Sequence, residues 1–530
     1  MTFGPGRGGP GAKLRYQLSP EVPVTVTRGF TALSPKYRNG ILSLWTRFPS
    51  DVQVTLQVQD SAGNNTLVPL EPNLEASRAG EWRYDSAQFR NRVAGLALII
   101  RSPNKQAAQG ELDFDEVTLR NAEANFQLSG GNETGMSYTQ AEELAPVGVN
   151  IHLLRDDHSM DLARSAGFSF VRIDLLWSNV ERRGRFRFFA YDLLLRSLEA
   201  RKMGVLWILD YGHPDHGGQV PRTEEDLRAF SEFARAVAEH YRGRNVRYEI
   251  WNEPDNPQFW AGVPNPAEYA ALLRNAVDAM RAADPAAIIS SGGVSNLDLP
   301  YLRQVLDRGL AAKLNAISVH PYPKNGPETI VPAYVAVRNW AARELGQQIE
   351  IWESEWGYSS TRNGADSKLD GHREGDRERQ ANLAVRQILT VWGLNFPLSV
   401  WYDLRDDGTN AANPEQNYGL LDASGQEKPA MLAVRTLMTS ARTRKFIGML
   451  PDPPRGVHVM RLAGPHDRLL VVWTEEPKKD KTLECNREDL ISAMSMTGKP
   501  LQLKSGSKGN LRLTISERAG PIYVLFKAGP

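Results

Sequence analysis

The chain has 530 residues, more than one ordinary domain needs, so two or three domains are expected. Lys and Arg number 63 against 62 Asp and Glu, a net charge of +1, which removes the electrostatic reason to seek nucleic acid or an anionic membrane surface. The single cysteine, Cys485, excludes an internal disulfide and any multi-cysteine metal centre.

Residues 1–13 are rich in Gly and Pro and hold no apolar core, which predicts a flexible tail, neither a signal peptide nor an anchor. A chain without disulfides suits either redox environment. A secreted or cell-envelope location is favoured, any leader lying outside this chain. No apolar run approaches the roughly 18 residues of a membrane-spanning helix, so no membrane insertion is expected.

From residue 15 to about 120, short alternating runs recur at 22–27, 42–48, 52–59, 81–89, 93–101 and 111–120. Turn signals separate them, such as Ser61-Ala62-Gly63-Asn64-Asn65 and Ser102-Pro103-Asn104. This spacing predicts a β-sandwich of the jelly-roll kind over residues 14–121. Its role stays open between binding glycan and bracing the next domain.

Over 122–440 strands alternate with amphipathic helices, the pattern of parallel βα units. Eight strands are predicted, at 147–152, 170–175, 205–210, 248–251, 288–291, 316–320, 350–353 and 398–402. Thr223 and Asn265 are read as helix N-caps, the second with Pro266 at the first helical position and Glu268 at the third. Leu227, Phe230, Ala234, Val237 and Tyr241 fall on one apolar stripe. Eight such repeats fit an α/β fold of the (β/α)8 TIM-barrel type, whose site lies at the carboxyl ends of the strands. From 441 the alternation turns β-like again, at 457–462, 468–474, 511–515 and 522–526, predicting a small C-terminal β-sandwich over 441–530. The Lys478–Lys481 run reads as a solvated hairpin loop.

The fourth barrel strand ends in Trp251-Asn252-Glu253-Pro254, and the seventh continues through Glu350, Glu353 and Glu355. Carboxylic acids on two strands across one barrel mouth supply what glycoside hydrolysis requires: one acid protonates the leaving oxygen, the other attacks or stabilises the anomeric carbon. Opposed glutamates in a small barrel can approach to roughly 5–5.5 Å, the separation for a retaining mechanism. Alternation puts Glu353 and Glu355 on one face, so geometry alone leaves both in play. Glu249 joins Glu253 only if the fourth strand stays regular. Adjacent carboxylates do not both ionise cheaply, so Glu253 is expected above the roughly 4.3 of a free Glu.

Five stretches carry a resemblance: 251–260 (WNEPDNPQFW), 318–323 (SVHPYP), 352–360 (WESEWGYSS), 401–408 (WYDLRDDG) and 417–430 (NYGLLDASGQEKPA). Together they resemble clan A glycoside hydrolases, and most closely family 39, including its members that cut bacterial exopolysaccharides. The resemblance spans the barrel and the C-terminal sandwich but not the N-terminal module. It implies a retaining hydrolase of β-glycosidic bonds in an oligo- or polysaccharide, with no cofactor. Glu253 would be acid/base and Glu355 nucleophile; Ser354 stands where Thr is common and keeps the hydroxyl. Arg172, which read alone is a buried ion-pair arginine, would sit beneath the nucleophile and hold it ionised. His320 and Tyr322 would hydrogen-bond nucleophile and sugar, Asn252 the sugar 2-hydroxyl, and Trp401 would floor the sugar subsite. His152, Trp177, Asp210 and His213 are carried as pocket lining. The run 110–120 resembles the closing strand of jelly-roll carbohydrate-binding modules. Such modules use exposed aromatics, here Trp45 or Trp82, and sometimes bind structural calcium, here near Asp115.

Two other readings are weighed beside this one. Tyr211-Gly212-His213-Pro214-Asp215-His216, with His152 and His320, could serve a metal-dependent barrel hydrolase, but strand one offers no His-x-His pair. A non-catalytic carbohydrate-binding protein on a barrel scaffold would ordinarily have lost one of the two carboxylates.

Overall fold

The computed structural model describes residues 143–528 except 324–325, 347–348, 362–376, 451–452, 455 and 477–479; before residue 143 it describes the β-strands. The first 121 residues form two antiparallel sheets whose strands interleave along the chain, the connectivity of a sandwich. One sheet runs in the order Thr2–Pro5, Pro10–Leu18, Ala108–Asn121, Gly40–Arg47 and Arg83–Gln88. The other runs Val24–Gly29, Val93–Arg101, Gln53–Asp60 and Asn65–Pro69. Val54 and Leu56 are buried and Thr55 between them is half-buried, as a one-sided strand requires.

The flexible tail expected over 1–13 is corrected: Thr2–Pro5 pairs with residues 10–13 and extends the sheet edge. Edge pairing is a main-chain interaction that Gly and Pro tolerate, so composition does not report it. The strand Asn65–Pro69, antiparallel to Gln53–Asp60, was likewise not expected. The side chains of Trp45, Trp82 and Asp115 lie outside the described residues.

Eight parallel strands close into a barrel: β1 (Val147–Asn150), β2 (Phe170–Leu176), β3 (Gly204–Asp210), β4 (Val246–Asn252), β5 (Ile289–Ser295), β6 (Ala316–His320), β7 (Glu350–Trp356) and β8 (Ser399–Trp401). Strand β8 returns to pair with β1, Val147 opposite Ser399. Phe170, Leu206, Ala316, Trp352, Leu398 and Val400 pack as one apolar cluster inside the barrel, near the strand starts. That plug leaves the carboxyl ends to polar side chains.

Helices shield the outside. In the helix Glu224–His240, Phe230, Ala234 and Val237 are buried, each large side chain contributing about 1.5–3 kcal/mol. Thr223 accepts from the Asp226 amide, and Asn265 accepts from the Ala267 and Glu268 amides while donating to the Glu268 carboxylate. Both caps sit where the sequence puts them.

The C-terminal region adds a five-stranded antiparallel sheet, Lys445–Met449, Val457–Ala463, Asp467–Thr474, Ile522–Lys527 and Leu490–Ser495. Alternate residues face two ways. Val459, Leu470, Val472 and Val524 join Leu483 and Ile515 of a smaller sheet, while Met460, Val471, Trp473 and Tyr523 join the barrel's core. Trp473 Nε1 donates to Glu328 Oε1 at 2.7 Å, and Arg386 grips the same carboxylate at 2.8 and 2.6 Å. The smaller sheet takes in Gln127–Leu128, parallel to Glu484–Cys485, so part of the stretch expected with the barrel lies along the C-terminal sheets. Lys481 opens the strand Lys481–Cys485 rather than lying in a loop, and Cys485 is buried, its thiol pushed up to about 12 by burial. Among the described residues no helix is long and apolar enough to cross a membrane.

Candidate active site

The site is built around a fully buried cation. Arg172 rises from the middle of β2 and donates through one amino group to Glu355 Oε2 at 2.5 Å. Its other amino group donates to Glu249 Oε1 at 2.5 Å and to Asn252 Oδ1 at 3.0 Å. Burial would lower the guanidinium, but the charges of Glu249 and Glu355 outweigh it and raise it further.

Strand β4 does not stay regular. Trp251 and Glu253 have φ of 75° and 43°, in the left-handed region where a side chain costs of order 1 kcal/mol or more. The resulting twist leaves Glu249 under Arg172 and swings Glu253 into the mouth. Glu253 Oε1 lies 2.9 Å from His320 Nδ1, and Asn256 Nδ2 donates to Oε2 at 2.8 Å. Burial pushes this carboxyl up, yet the hydrogen bond and charge of His320, with Asn256 and Ser295, outweigh burial and hold it below its usual range. The expectation of a raised Glu253 is therefore corrected: the imidazole partner wins. Burial lowers His320 in turn, but Glu355 and Glu253 more than compensate, so it is raised. The His320 ring fits because residue 293 is glycine; a Cβ there would lie 2.0 Å from Nε2.

A register shift between Glu353 and Trp356 separates the two glutamates of β7 that alternation would keep on one face. Glu353 is buried and accepts from the Ser399 hydroxyl, beside residues whose neighbours Trp352 and Val400 fill the barrel plug. Burial pushes it well above its usual range. Glu355 instead opens to the mouth, taking Tyr322 Oη at 2.9 Å on Oε1 and Asn150 Nδ2 at 3.4 Å on Oε2. Tyr322 itself is raised by burial and by the charge of Glu355. Glu350, the first residue of β7, is exposed. One oxygen each of Glu253 and Glu355 and one nitrogen of His320 lie within 4.8 Å of one another. An open cleft of about 710 Å³ flanks Glu253, lined by Asp255, Asn256, Ser295 and Asn296 among others.

Glu253, Glu355, Arg172, Asn252, His320 and Tyr322 are thus brought together. The remaining candidates divide. His152 stands at the mouth, its Nδ1 2.8 Å from Asp407 and 3.8 Å from Asp403, and the Asp407 hydrogen bond raises it to about 9 against the opposing effect of burial. Asp210 is buried inside the barrel, pushed well above its usual range by burial and by Asp174, and offers no surface to the mouth. Trp177 and His213 are buried too: Trp177 Nε1 donates to Glu181 at 2.6 Å, and His213 Nδ1 accepts from the Asp215 amide at 3.1 Å. They belong to the packing, not to the pocket. Trp401, expected as the floor, is 2% exposed, and its Nε1 donates to the Tyr418 carbonyl. The next residue, Tyr402, takes the open position, its ring 5.6 Å from His152 and 5.5 Å from Tyr418. Asn150, Asn256 and Tyr402 were not singled out from the sequence, although Asn256 and Tyr402 lie inside motifs it quoted.

Two further groups have metal-ligand composition. Glu181, His213 and His216 converge within 4.8 Å, as do His152, Asp403 and Asp407. In the first, His213 Nδ1 is occupied by the Asp215 amide and His216 stacks on Trp177 at 4.8 Å. A cation between Glu253, His320 and Glu355 would sit against the Arg172 guanidinium, which repels it.

The family model Cellulase (glycosyl hydrolase family 5) matches residues 126–387. No curated protein matches. Among solved structures, a family 39 glycoside hydrolase from the gut symbiont Bacteroides cellulosilyticus WH2 has a TM-score of 0.61 at 19% identity, over 90% of this chain and 95% of that one. A family 39 enzyme from Xanthomonas axonopodis pv. citri has a TM-score of 0.53 at 15% identity, over 74% and 96%. A monomeric β-xylosidase from Caulobacter crescentus CB15 has a TM-score of 0.54 at 14% identity, over 73% and 98%. At 90% coverage the first likeness reaches into the N-terminal sheets, further than the sequence motifs extend. Glycoside hydrolases of this clan need no cofactor and act on carbohydrate. The family match across the barrel and the fold likeness together support a clan A glycoside hydrolase, most like family 39.

Proposed function

We propose that this enzyme hydrolyses β-glycosidic bonds of an oligo- or polysaccharide with retention, Glu253 acting as acid/base and Glu355 as nucleophile. The observation that carries the reading is the separation of the pair. Oxygens within 4.8 Å suit a double displacement at roughly 5–5.5 Å, whereas inversion needs roughly 6.5–9.5 Å to admit a water between carboxylate and sugar. In the first step Glu355 attacks the anomeric carbon while the Glu253–His320 pair delivers a proton to the leaving oxygen. In the second, Glu253 takes a proton from water, which displaces the sugar from Glu355. Arg172 and Tyr322 supply two charge-assisted hydrogen bonds to the Glu355 carboxylate, one to each oxygen, and so aim it. Asn252, its oxygen held by Arg172, would meet the sugar 2-hydroxyl through its amide group, which also hydrogen-bonds Tyr211.

The test is a screen of aryl glycosides differing in the sugar, with the first-formed anomer read by proton NMR and a chelator control. Retention without chelator sensitivity is expected. Inversion, or loss of turnover on chelation, would overturn the reading. The N-terminal sheets serve, in the same reading, as a docked sandwich.

A further inference from the structure

After β2 the chain makes a two-residue hairpin before the helix Phe189–Ala200: Glu181–Arg182 pairs with Arg185–Phe186, Arg182 directly opposite Arg185. Arg183 and Gly184 form its turn with φ of 54° and 70°, the tight type in which both central residues are left-handed. Alternation sorts the side chains. Glu181 and Phe188 are buried and Phe186 half-buried, while Arg182, Arg183, Arg185 and Arg187 are all exposed. The base is fixed by Trp177 on Glu181 at 2.6 Å, by the Arg187 amide on the Val180 carbonyl at 2.8 Å, and by Phe186 stacked on Phe188 at 6.4 Å. Among the described residues, none of the four guanidinium groups has a hydrogen-bond or ion-pair partner.

Local physics opposes these residues here. Like charges directly across a ladder destabilise it. A left-handed turn position prefers Asn or Gly to Arg. Rule-breaking of this kind marks function. The hairpin also leaves the carboxyl end of β2, the strand that carries Arg172, so it stands on the same rim as Glu253 and Glu355.

We propose that the hairpin docks an anionic polysaccharide, its guanidinium groups holding carboxylate or sulfate groups of sugar units flanking the bond to be cleaved. The inference rests on the glycosidase reading and narrows its substrate to acidic glycans. Arginine's planar fork matches such oxyanions in a bidentate fashion. The whole chain carries only +1, so the attraction is local to this element. Around the paired glutamates, Arg172, His320 and His152 are each engaged by carboxylates, so a charged group of the substrate is met at the rim and not at the cleavage point.

The test is affinity electrophoresis of the full chain through gels holding alginate, dextran sulfate or neutral xylan, at about 20 mM and about 200 mM salt, which brackets the onset of strong screening. Retardation by alginate or by dextran sulfate, lost at high salt and absent with xylan, is expected; which gel retards identifies the oxyanion. The Arg182→Gln/Arg185→Gln/Arg187→Gln variant binds roughly tenfold more weakly, the scale of a few exposed ion pairs. Arg183→Asn, which suits the turn, weakens binding in the same direction. Aryl glycoside turnover stays at the parent level in both. No retardation in either anionic gel, unchanged retardation of the variant, or equal retardation by duplex DNA would overturn the proposal. If no glycoside is turned over at all, the glycosidase reading fails while the gels still decide the docking.

Discussion

His320 Nδ1 lies 2.9 Å from Glu253 Oε1, with the imidazole wholly buried and its Nε2 3.3 Å from Arg172. The acid of the proposed reaction is therefore a pair, in which a lowered carboxyl and a raised imidazole share the proton that the leaving group needs.

Because the imidazole is raised, the pair keeps its proton to higher pH than an isolated carboxyl would, and the alkaline limb of kcat/KM reports its loss. His320→Asn leaves the proton to the carboxyl alone, so that limb moves to lower pH. A pH–rate profile showing the limb unmoved would separate His320 from the acid step.

Glu253→Gln and Glu355→Gln are each expected to lower kcat by about two to four orders of magnitude. Azide with an activated aryl glycoside should rescue the first, since it replaces the deglycosylation water without needing a base. With the second, any azide product should carry the opposite anomeric configuration. Near-normal residual activity in either variant sinks the assignment.

Gly293→Ala tests the packing that holds the pair. The new methyl would meet His320 Nε2 at 2.0 Å, so the ring must shift although no functional group is lost. A stability cost of about 1–3 kcal/mol by urea unfolding and at least a roughly tenfold fall in kcat are expected. Full activity would mean that the ring's position does not matter.

Asp407→Asn tests the mouth. In the folded chain His152 is raised to about 9, chiefly by its hydrogen bond to Asp407. A raised folded-state value gives stabilisation that is fully present below the unfolded His value of about 6.5 and is lost as pH rises toward about 9. The parent's Tm should therefore fall between those values, and the variant's should fall less. Parallel Tm curves for the two proteins would contradict the pairing. The effect is modest, because the His152 side chain is 37% exposed.

The sequence by itself determined the architecture of the barrel and the motifs that hold the candidate carboxylates. Eight apolar runs spaced by capped amphipathic helices specify a closed barrel, because period and cap chemistry are local properties that survive in one dimension. Asn252-Glu253-Pro254 was legible at the end of a strand, whereas Glu355 was set apart from Glu353 only by the resemblance of its motif. What tertiary structure alone decided is which side chains face the mouth. The twist at Trp251 and Glu253 and the register shift before Trp356 overrule simple alternation, sealing Glu249 and Glu353 in the interior and turning Glu253 and Glu355 toward the mouth. The resemblance implied Trp401 as a floor of the sugar subsite, yet Trp401 is buried and the neighbouring Tyr402 is half-buried. Glu253 was expected to be raised by its fellow carboxylate, yet His320, 67 positions away along the chain, lowers it. Charge and burial depend on distances between strands, and those distances exist only once the barrel has closed.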